Sequence, residues 1–323
     1  MVLPALHRGN VGGMHASSVH TTPLPPCTAR LQTLFQTHHR LSAGLIGRAQ
    51  AAFGMPWLLA FEDLLQRFLP TDDALAAAAR GYSSFALDAM RRQKAFEASG
   101  AYPDKCHVEA AAEVYFNSRH MADEYLPGLL LSHYLWPHHY RQLQFFEQAF
   151  AAPMRLAGTS QFAEVGVGTG LYSRLLLQAL PQARGAGYDI SPSSCEFAAL
   201  QMQRFGCDSR YTLHRQDVVA QPMPPVPWLV CVEVLEHLDD PVTFLRALHA
   251  ALQPGGKAFI TAALNAAHAD HIHLYRQPDE VWQHLQAAGF VLEQSWAGAA
   301  YAPPRPGVPV PLAAAFVVGR GAA

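Results

Sequence analysis

Apolar residues along this chain follow two different periods, and the change falls near Pro153. Between Thr28 and about Ala152 they recur three and four positions apart, the stripe of helices that each bury one face. Pro56 opens one such stretch, which runs to Leu69 and meets Pro70. Thr71, Asp72 and Asp73 offer a cap for the next helix, expected over Ala74 to Arg80 and ended by Gly81. Further helices are expected near 83–98, 107–117, 127–135 and 137–150. No β-rich window interrupts them, so residues 29–152 read as an all-helical unit. Residues 1–28 mix Gly, Pro, His, Ser and Thr without a period and read as a flexible leader.

Beyond Pro153, strand-like runs appear at 161–166, 185–190, 209–216, 228–234, 257–264, 290–297 and 313–319. Helical stretches near 171–180, 192–205, 241–252 and 278–288 lie among the first six. This alternation predicts an α/β fold over 153–323, a doubly wound, mostly parallel seven-stranded sheet with helices on both faces. Only the proline-rich Tyr301–Pro311 link joins the last two runs, and a link without a crossover helix suits an antiparallel final strand.

Composition narrows the possible partners. Half of the 323 residues are hydrophobic and 15% are charged, which suits a buried core. The net charge of −2, with no basic stripe, argues against nucleic acid. Cys27, Cys106, Cys195, Cys207 and Cys231 are odd in number and form no C-x-x-C pair, as expected of a reducing compartment. No window approaches the ~18 apolar residues of a membrane span. A cytoplasmic protein is expected, with a small-molecule substrate and, at most, a second copy of itself as partners.

Candidate chemistry gathers where strands end. Gln161 to Tyr172 reads as a strand ending at Glu164-Val165, a turn carrying Gly166, Gly168 and Gly170, and a helix opening near Leu171. Alternate glycines at such a junction let backbone come close to a ligand. Asp189, followed by Ile190, lies about 20 residues beyond the glycines, placed to accept hydrogen bonds from ribose hydroxyls. Asp217 and Val218 end the third run, where an acid and a neighbouring amide can hold an adenine edge. The fourth run leads into Glu233-Val-Leu-Glu-His237, and Leu252-Gln-Pro-Gly-Gly256 precedes the fifth.

Together these segments resemble the class I S-adenosylmethionine-dependent methyltransferases. Glu164 to Gly170 is similar to that family's first motif, Asp189 to its ribose acid and Gln216-Asp217 to its adenine motif. Glu233–His237 and Leu252–Gly256 are similar to its fourth and fifth motifs. The resemblance covers about 155–320 and implies strand order 3-2-1-4-5-7-6 with strand 7 antiparallel and S-adenosylmethionine as cofactor. Nothing in 1–152 resembles a known family so clearly; the helical unit over 29–152 directly precedes the catalytic domain and is expected to cap its cleft as a lid.

Methyl transfer requires alignment of nucleophile, carbon and sulfur, exclusion of water and, for an acidic nucleophile, removal of a proton. His237, near the end of the fourth strand, is a candidate base, against a structural role in the turn. Asp270, His271 and His273 lie just beyond the fifth strand. Drawn as extended chain, His271 and His273 point to one side and Asp270 to the other. With His237 they form a candidate metal set, but the spacing lacks zinc-site regularity and 17 histidines raise the rate of chance clusters. A substrate-pocket loop without a metal is the favoured reading, with His271 as a catalytic candidate.

In the helical unit Tyr134, Trp136 and Tyr140 offer a cage for a cationic centre, Tyr134 being the catalytic candidate, although packing between helices is the commoner role of such a stripe. Tyr172 is placed to touch the methionine part of the cofactor. The leading expectation is a small-molecule methyltransferase of specialised biosynthesis acting on an amino acid, an α-keto acid or an aromatic metabolite. The alternative is an enzyme of this fold that cyclises S-adenosylmethionine itself to azetidine-2-carboxylate and methylthioadenosine. An inactive cofactor-binding subunit ranks last.

Overall fold

The computed structural model describes residues 23–305 and 307–321. Residues 1–22, most of the expected leader, lie outside them, and a helix begins at Pro26. The first half is helical: α1 (Pro26–His38), α2 (Leu45–Phe68), α3 (Asp72–Ser99) and α4 (His107–Glu113). A short α5 (Ser118–His120) passes through a π turn, Met121–Tyr125, into α6 (Leu126–Leu135). Then come α7 (Pro137–Phe146), a second π turn, Glu147–Ala151, and α8 (Ala152–Leu156).

Local chemistry accounts for most of these boundaries. The α2 helix breaks at Gly54, whose φ of 68° and ψ of −153° favour glycine, and resumes at Pro56. The Thr71 hydroxyl caps α3 by accepting the Ala74 N–H at 3.2 Å. The expected stop at Gly81 is wrong, because α3 continues for 18 more residues to Ser99. A Cβ on Gly81 would lie 2.4 Å from the Asp123 carbonyl oxygen, so this glycine lets a neighbouring segment approach the helix. The true stop is Gly100, left-handed at φ 70°, whose N–H bonds to the Phe96 carbonyl at 2.7 Å.

The second half is a sheet of β1 (Gln161–Val165), β2 (Arg184–Asp189), β3 (Tyr211–Arg215), β4 (Val226–Cys231), β5 (Leu252–Leu264), β6 (Val291–Ala299) and β7 (Leu312–Gly319). Its order is β3-β2-β1-β4-β5-β7-β6, with β7 antiparallel to both neighbours. The connecting helices are α9 (Leu171–Ala179), α10 (Pro192–Arg204), α11 (Pro241–Ala251) and α12 (Pro278–Ala287). The β5 strand starts five residues before the expected 257: Val226 pairs with Leu252 and Trp228 with Lys257, so Gln253–Gly256 bulges out of the ladder.

Two cores sandwich the sheet. On one face Leu245, Leu248, Val281 and Leu285 cover β4, β5 and β7. On the other, Phe146 and Phe150 from the helical half pack against Phe259, and Phe146 also meets Tyr172 edge to face at 4.8 Å. The helical half therefore shares a core with the sheet and is seated over the carboxyl ends of its strands. Among the described residues no helix is long and apolar enough to cross a membrane.

Candidate active site

The turn after β1 gives its three glycines different tasks. All have positive φ, at 72° for Gly166, 51° for Gly168 and 75° for Gly170. A Cβ on Gly166 would meet a Val234 methyl at 2.4 Å, and one on Gly170 would meet the Ala198 Cβ at 2.9 Å. Those two positions are closed by the protein itself. At Gly168 the nearest atom is a Leu129 methyl at 3.7 Å, and the position borders a cavity of about 1490 Å³.

Carboxylates fix this wall to the backbone. Asp189 accepts the Gly168 N–H at 3.0 Å and the Ser191 N–H at 2.8 Å, tying the glycine turn to the end of β2. Burial pushes its carboxyl up, against the pull of these N–H groups. Glu164, 1% exposed, accepts the Ser173 N–H at 3.0 Å and the Ser173 hydroxyl, which locks the first turn of α9 onto β1. Burial drives the Glu164 carboxyl up to about 8. Asp217 accepts the Val219 N–H at 2.8 Å, shaping the turn beside buried Val218. Ile190, Asp217 and Val218 all border the cavity.

Glu233 closes the wall beyond β4. Its φ of 53° is strained for a residue with a side chain, and Thr261 holds it there. The Thr261 hydroxyl accepts the Glu233 N–H at 3.0 Å and donates to its carboxylate at 2.8 Å. Tyr172 is buried and borders the cavity, with its hydroxyl accepting from the Gln142 amide at 3.0 Å.

The opposite wall is made of rings. Phe85 lies between Trp136 and His268, with ring centroids at 5.7 and 5.5 Å and near-parallel planes. Trp136 is held by an indole N–H donated to the Tyr82 hydroxyl at 2.8 Å. His133, His138 and His139 stand nearby, and burial lowers all three, His133 to about 4 and His138 to about 3. Neither the His133 nor the His138 Nδ1 has a hydrogen-bond partner.

Of the ring candidates, Trp136 borders the cavity and Tyr134 does not. Tyr134 must be withdrawn as a catalytic residue. It turns into the helical core, stacked on Phe61 at 5.4 Å, with its hydroxyl accepting from Arg174 at 3.1 Å. Tyr140 joins the same core, 6.1 Å from Tyr134.

The loop after β5 is folded, not extended, and this reverses the expected sides. His273 turns outward to Tyr275 and His284, while Asp270 and His271 both face His237. Asp270 is fully buried; one carboxylate oxygen accepts the hydroxyls of Tyr115 and Tyr125, each at 2.8 Å, and lies 3.6 Å from His237 Nδ1. Burial works against its charge, yet neighbouring His237 and the Tyr125 hydroxyl hold this carboxyl below its usual range. Tyr115 and Tyr125 thereby fasten the helical half to the sheet loops. No spacing in the sequence linked them to position 270.

His237 sits between two backbone carbonyls, Nδ1 3.0 Å from Asp270 O and Nε2 3.0 Å from Glu233 O. The His271 Nδ1 donates to Ala266 O at 2.7 Å, so its lone pair is on Nε2. Burial pushes His271 well below the usual imidazole range. Both rings border the cavity.

Sheet order, glycine turn and strand-end acids are those of the class I S-adenosylmethionine-dependent methyltransferase fold, here behind a helical N-terminal region. Residues 163–258 match the family model described as a methyltransferase domain. Among curated relatives, the chain is 29% identical over 160 residues to the ubiquinone biosynthesis O-methyltransferase of Xanthomonas euvesicatoria, covering 43% of this chain and 66% of that protein. It is 32% identical over 110 residues to the same-named protein of Pseudomonas entomophila, covering 33% and 45%. The match thus spans between about half and two thirds of these relatives' length. Among solved structures, the mitomycin 7-O-methyltransferase MmcR is similar at a TM-score of 0.52 and 16% identity, covering 81% of this chain and 75% of that one. Human N-acetylserotonin methyltransferase in complex with SAM is similar at 0.52 and 14%, covering 76% and 70%.

Proposed function

We propose that the protein transfers the methyl group of S-adenosylmethionine to a hydroxyl of a small aromatic acceptor. The observation that carries this reading is the division of one cavity into two unlike walls. On one side, open backbone at Gly168 and the carboxylates of Asp189, Asp217 and Glu233 suit a ligand with ribose hydroxyls, an adenine edge and positive charge. On the other, Phe85, Trp136, Tyr115 and Tyr125 suit a flat, largely apolar molecule. Relatives named O-methyltransferases support oxygen as the accepting atom. Under this reading Asp189 takes the ribose, Asp217 and Val218 the adenine, and Tyr172 the methionine part. His237 and His271, on the floor, handle the acceptor's hydroxyl.

The test is incubation of the full chain with S-adenosylmethionine, with and without a panel of phenols, catechols and hydroxybenzoates. The expected result is S-adenosylhomocysteine and a methyl ether only when an acceptor is present. Methylthioadenosine formed from the cofactor alone would overturn methyl transfer in favour of cyclisation of S-adenosylmethionine.

A further inference from the structure

We propose that Glu236, His237 and His271 form a binding site for a divalent transition-metal ion beneath the cavity. Each offers a ligand atom, and these atoms all lie within 4.8 Å of one another. All three side chains are buried, Glu236 at 0% exposure. One carboxylate and two imidazoles are the donors that Zn²⁺ and Fe²⁺ accept.

The second observation is that protein hydrogen bonds leave this cluster unfinished. Both carboxylate oxygens of Glu236 are buried without a partner. A bare buried carboxylate is costly, and a cation would satisfy it. His271 already has the form a ligand needs: its Nδ1–H is tied to the Ala266 carbonyl, which orients the ring and leaves the Nε2 lone pair free. Only an imidazolium donates to both carbonyls flanking His237; a neutral ring bonds one of them and leaves a lone pair on its other nitrogen, which an ion could take in place of the second proton. A small rotation keeps one N–H bonded to its carbonyl and turns the other nitrogen's lone pair to the ion. The Asp270 carboxylate stands behind His237 Nδ1 at 3.6 Å, a second-layer partner anchored by Tyr115 and Tyr125.

The set differs from the four-residue cluster suggested by the sequence. His273 is excluded by the folded loop, and Glu236 is added. Because His237 and His271 also border the cavity, a cation here would face the acceptor. This gives their handling of a hydroxyl a specific form: an acceptor oxygen bound to the ion loses its proton more readily than a free one. That consequence rests on the methyl-transfer reading, but the site itself does not, and its test uses no turnover.

The full chain is stripped with chelator, and Zn²⁺, Fe²⁺ (anaerobically) and Co²⁺ are titrated with calorimetric and, for Co²⁺, visible-absorption readouts. Stoichiometric binding of at least one ion is expected. Glu236→Gln and His271→Ala should each weaken it about 100-fold or more, and Asp270→Asn about 10-fold to 100-fold. His273→Ala should bind as the wild type does. Near-UV circular dichroism of each variant separates loss of ligand from loss of fold. If the folded wild type binds none of the three, or binds with an affinity that folded His271→Ala and Glu236→Gln do not change, the proposal is overturned. Acceptor methylation by a metal-free protein would leave both the methyltransferase reading and the binding site standing and remove only the ion's part in deprotonating the acceptor.

Discussion

The two walls of the cavity solve the problem of buried polar groups in opposite ways. On the sheet side, backbone and hydroxyl donors answer the acids: Asp189 by Gly168 and Ser191, Glu164 by Ser173, Glu233 by Thr261. On the helical side, burial keeps His133, His138 and His139 neutral, and two of their nitrogens lack partners. A wall whose polar atoms are satisfied internally has fixed geometry before a ligand arrives. A wall with unpaired ring nitrogens keeps its polar capacity for the ligand. The contrast fits a fixed cofactor facing an acceptor that differs between enzymes sharing this fold.

The sharpest way to break this contrast is to fill the open spot in the fixed wall. Gly168→Val puts a branched side chain at φ 51° beside the cavity, and cofactor affinity is expected to fall at least about 100-fold in titration calorimetry. Gly166→Ala is the control: its Cβ would press on Val234, so the loss should appear in thermal stability. Retained cofactor affinity in a folded Gly168→Val would mean the cofactor does not cross this turn.

Opposite titration of the walls gives the next effect. The Glu164 pKa rises on folding from 4.5 to about 8, so the native state holds the extra proton in that window. Its contribution is complete below 4.5 and is lost as pH rises through 8, on the order of 1 kcal/mol per pH unit. His133 falls from 6.5 to about 4, so here the unfolded chain holds the proton. That contribution is complete above 6.5 and is lost as pH falls through 4. Denaturant midpoints of the cofactor-free protein should therefore decline towards both ends. Glu164→Gln, which can still accept from Ser173, should flatten the alkaline side, and His133→Gln the acidic side. An unchanged alkaline limb in Glu164→Gln would show that this carboxyl does not carry it. Smaller again is Asp189→Ala, expected to cost about 1.5–3 kcal/mol of cofactor binding through a lost charge-assisted hydrogen bond. Unchanged affinity would remove the ribose from Asp189.

The same difference explains what could be read from the sequence. The sheet wall was legible because strand, turn and acid are close in sequence. Glu164 with Gly166 and Gly168, Asp189 and Asp217 all fall at predicted strand ends, and all border the cavity. The strand order came from the family resemblance. The helical wall was poorly legible because contacts over 100 residues apart decide which face of a helix sees the cavity. Tyr134 and Trp136 are two residues apart, yet one faces the core and the other the cavity. Gly81 carries the residue type of a helix stop but serves a close approach to Asp123, and Asp270 meets Tyr115 only through the fold.

That last contact supplies the smallest and most specific test, because it is where the two walls are joined. Tyr115 and Tyr125 donate to the same Asp270 oxygen, so removing one hydroxyl leaves the other in place. Tyr125→Phe and Tyr115→Phe should each cost about 0.5–1.5 kcal/mol of stability, the net value of one hydrogen bond. The double variant should cost more than the sum, since the second loss strips a buried carboxylate of both donors. Asp270→Asn should make the two tyrosine substitutions additive and nearly silent. Simple additivity in the wild-type background, measured by urea unfolding, would mean that the tyrosines act by packing alone and that Asp270 does not couple the helical half to the sheet.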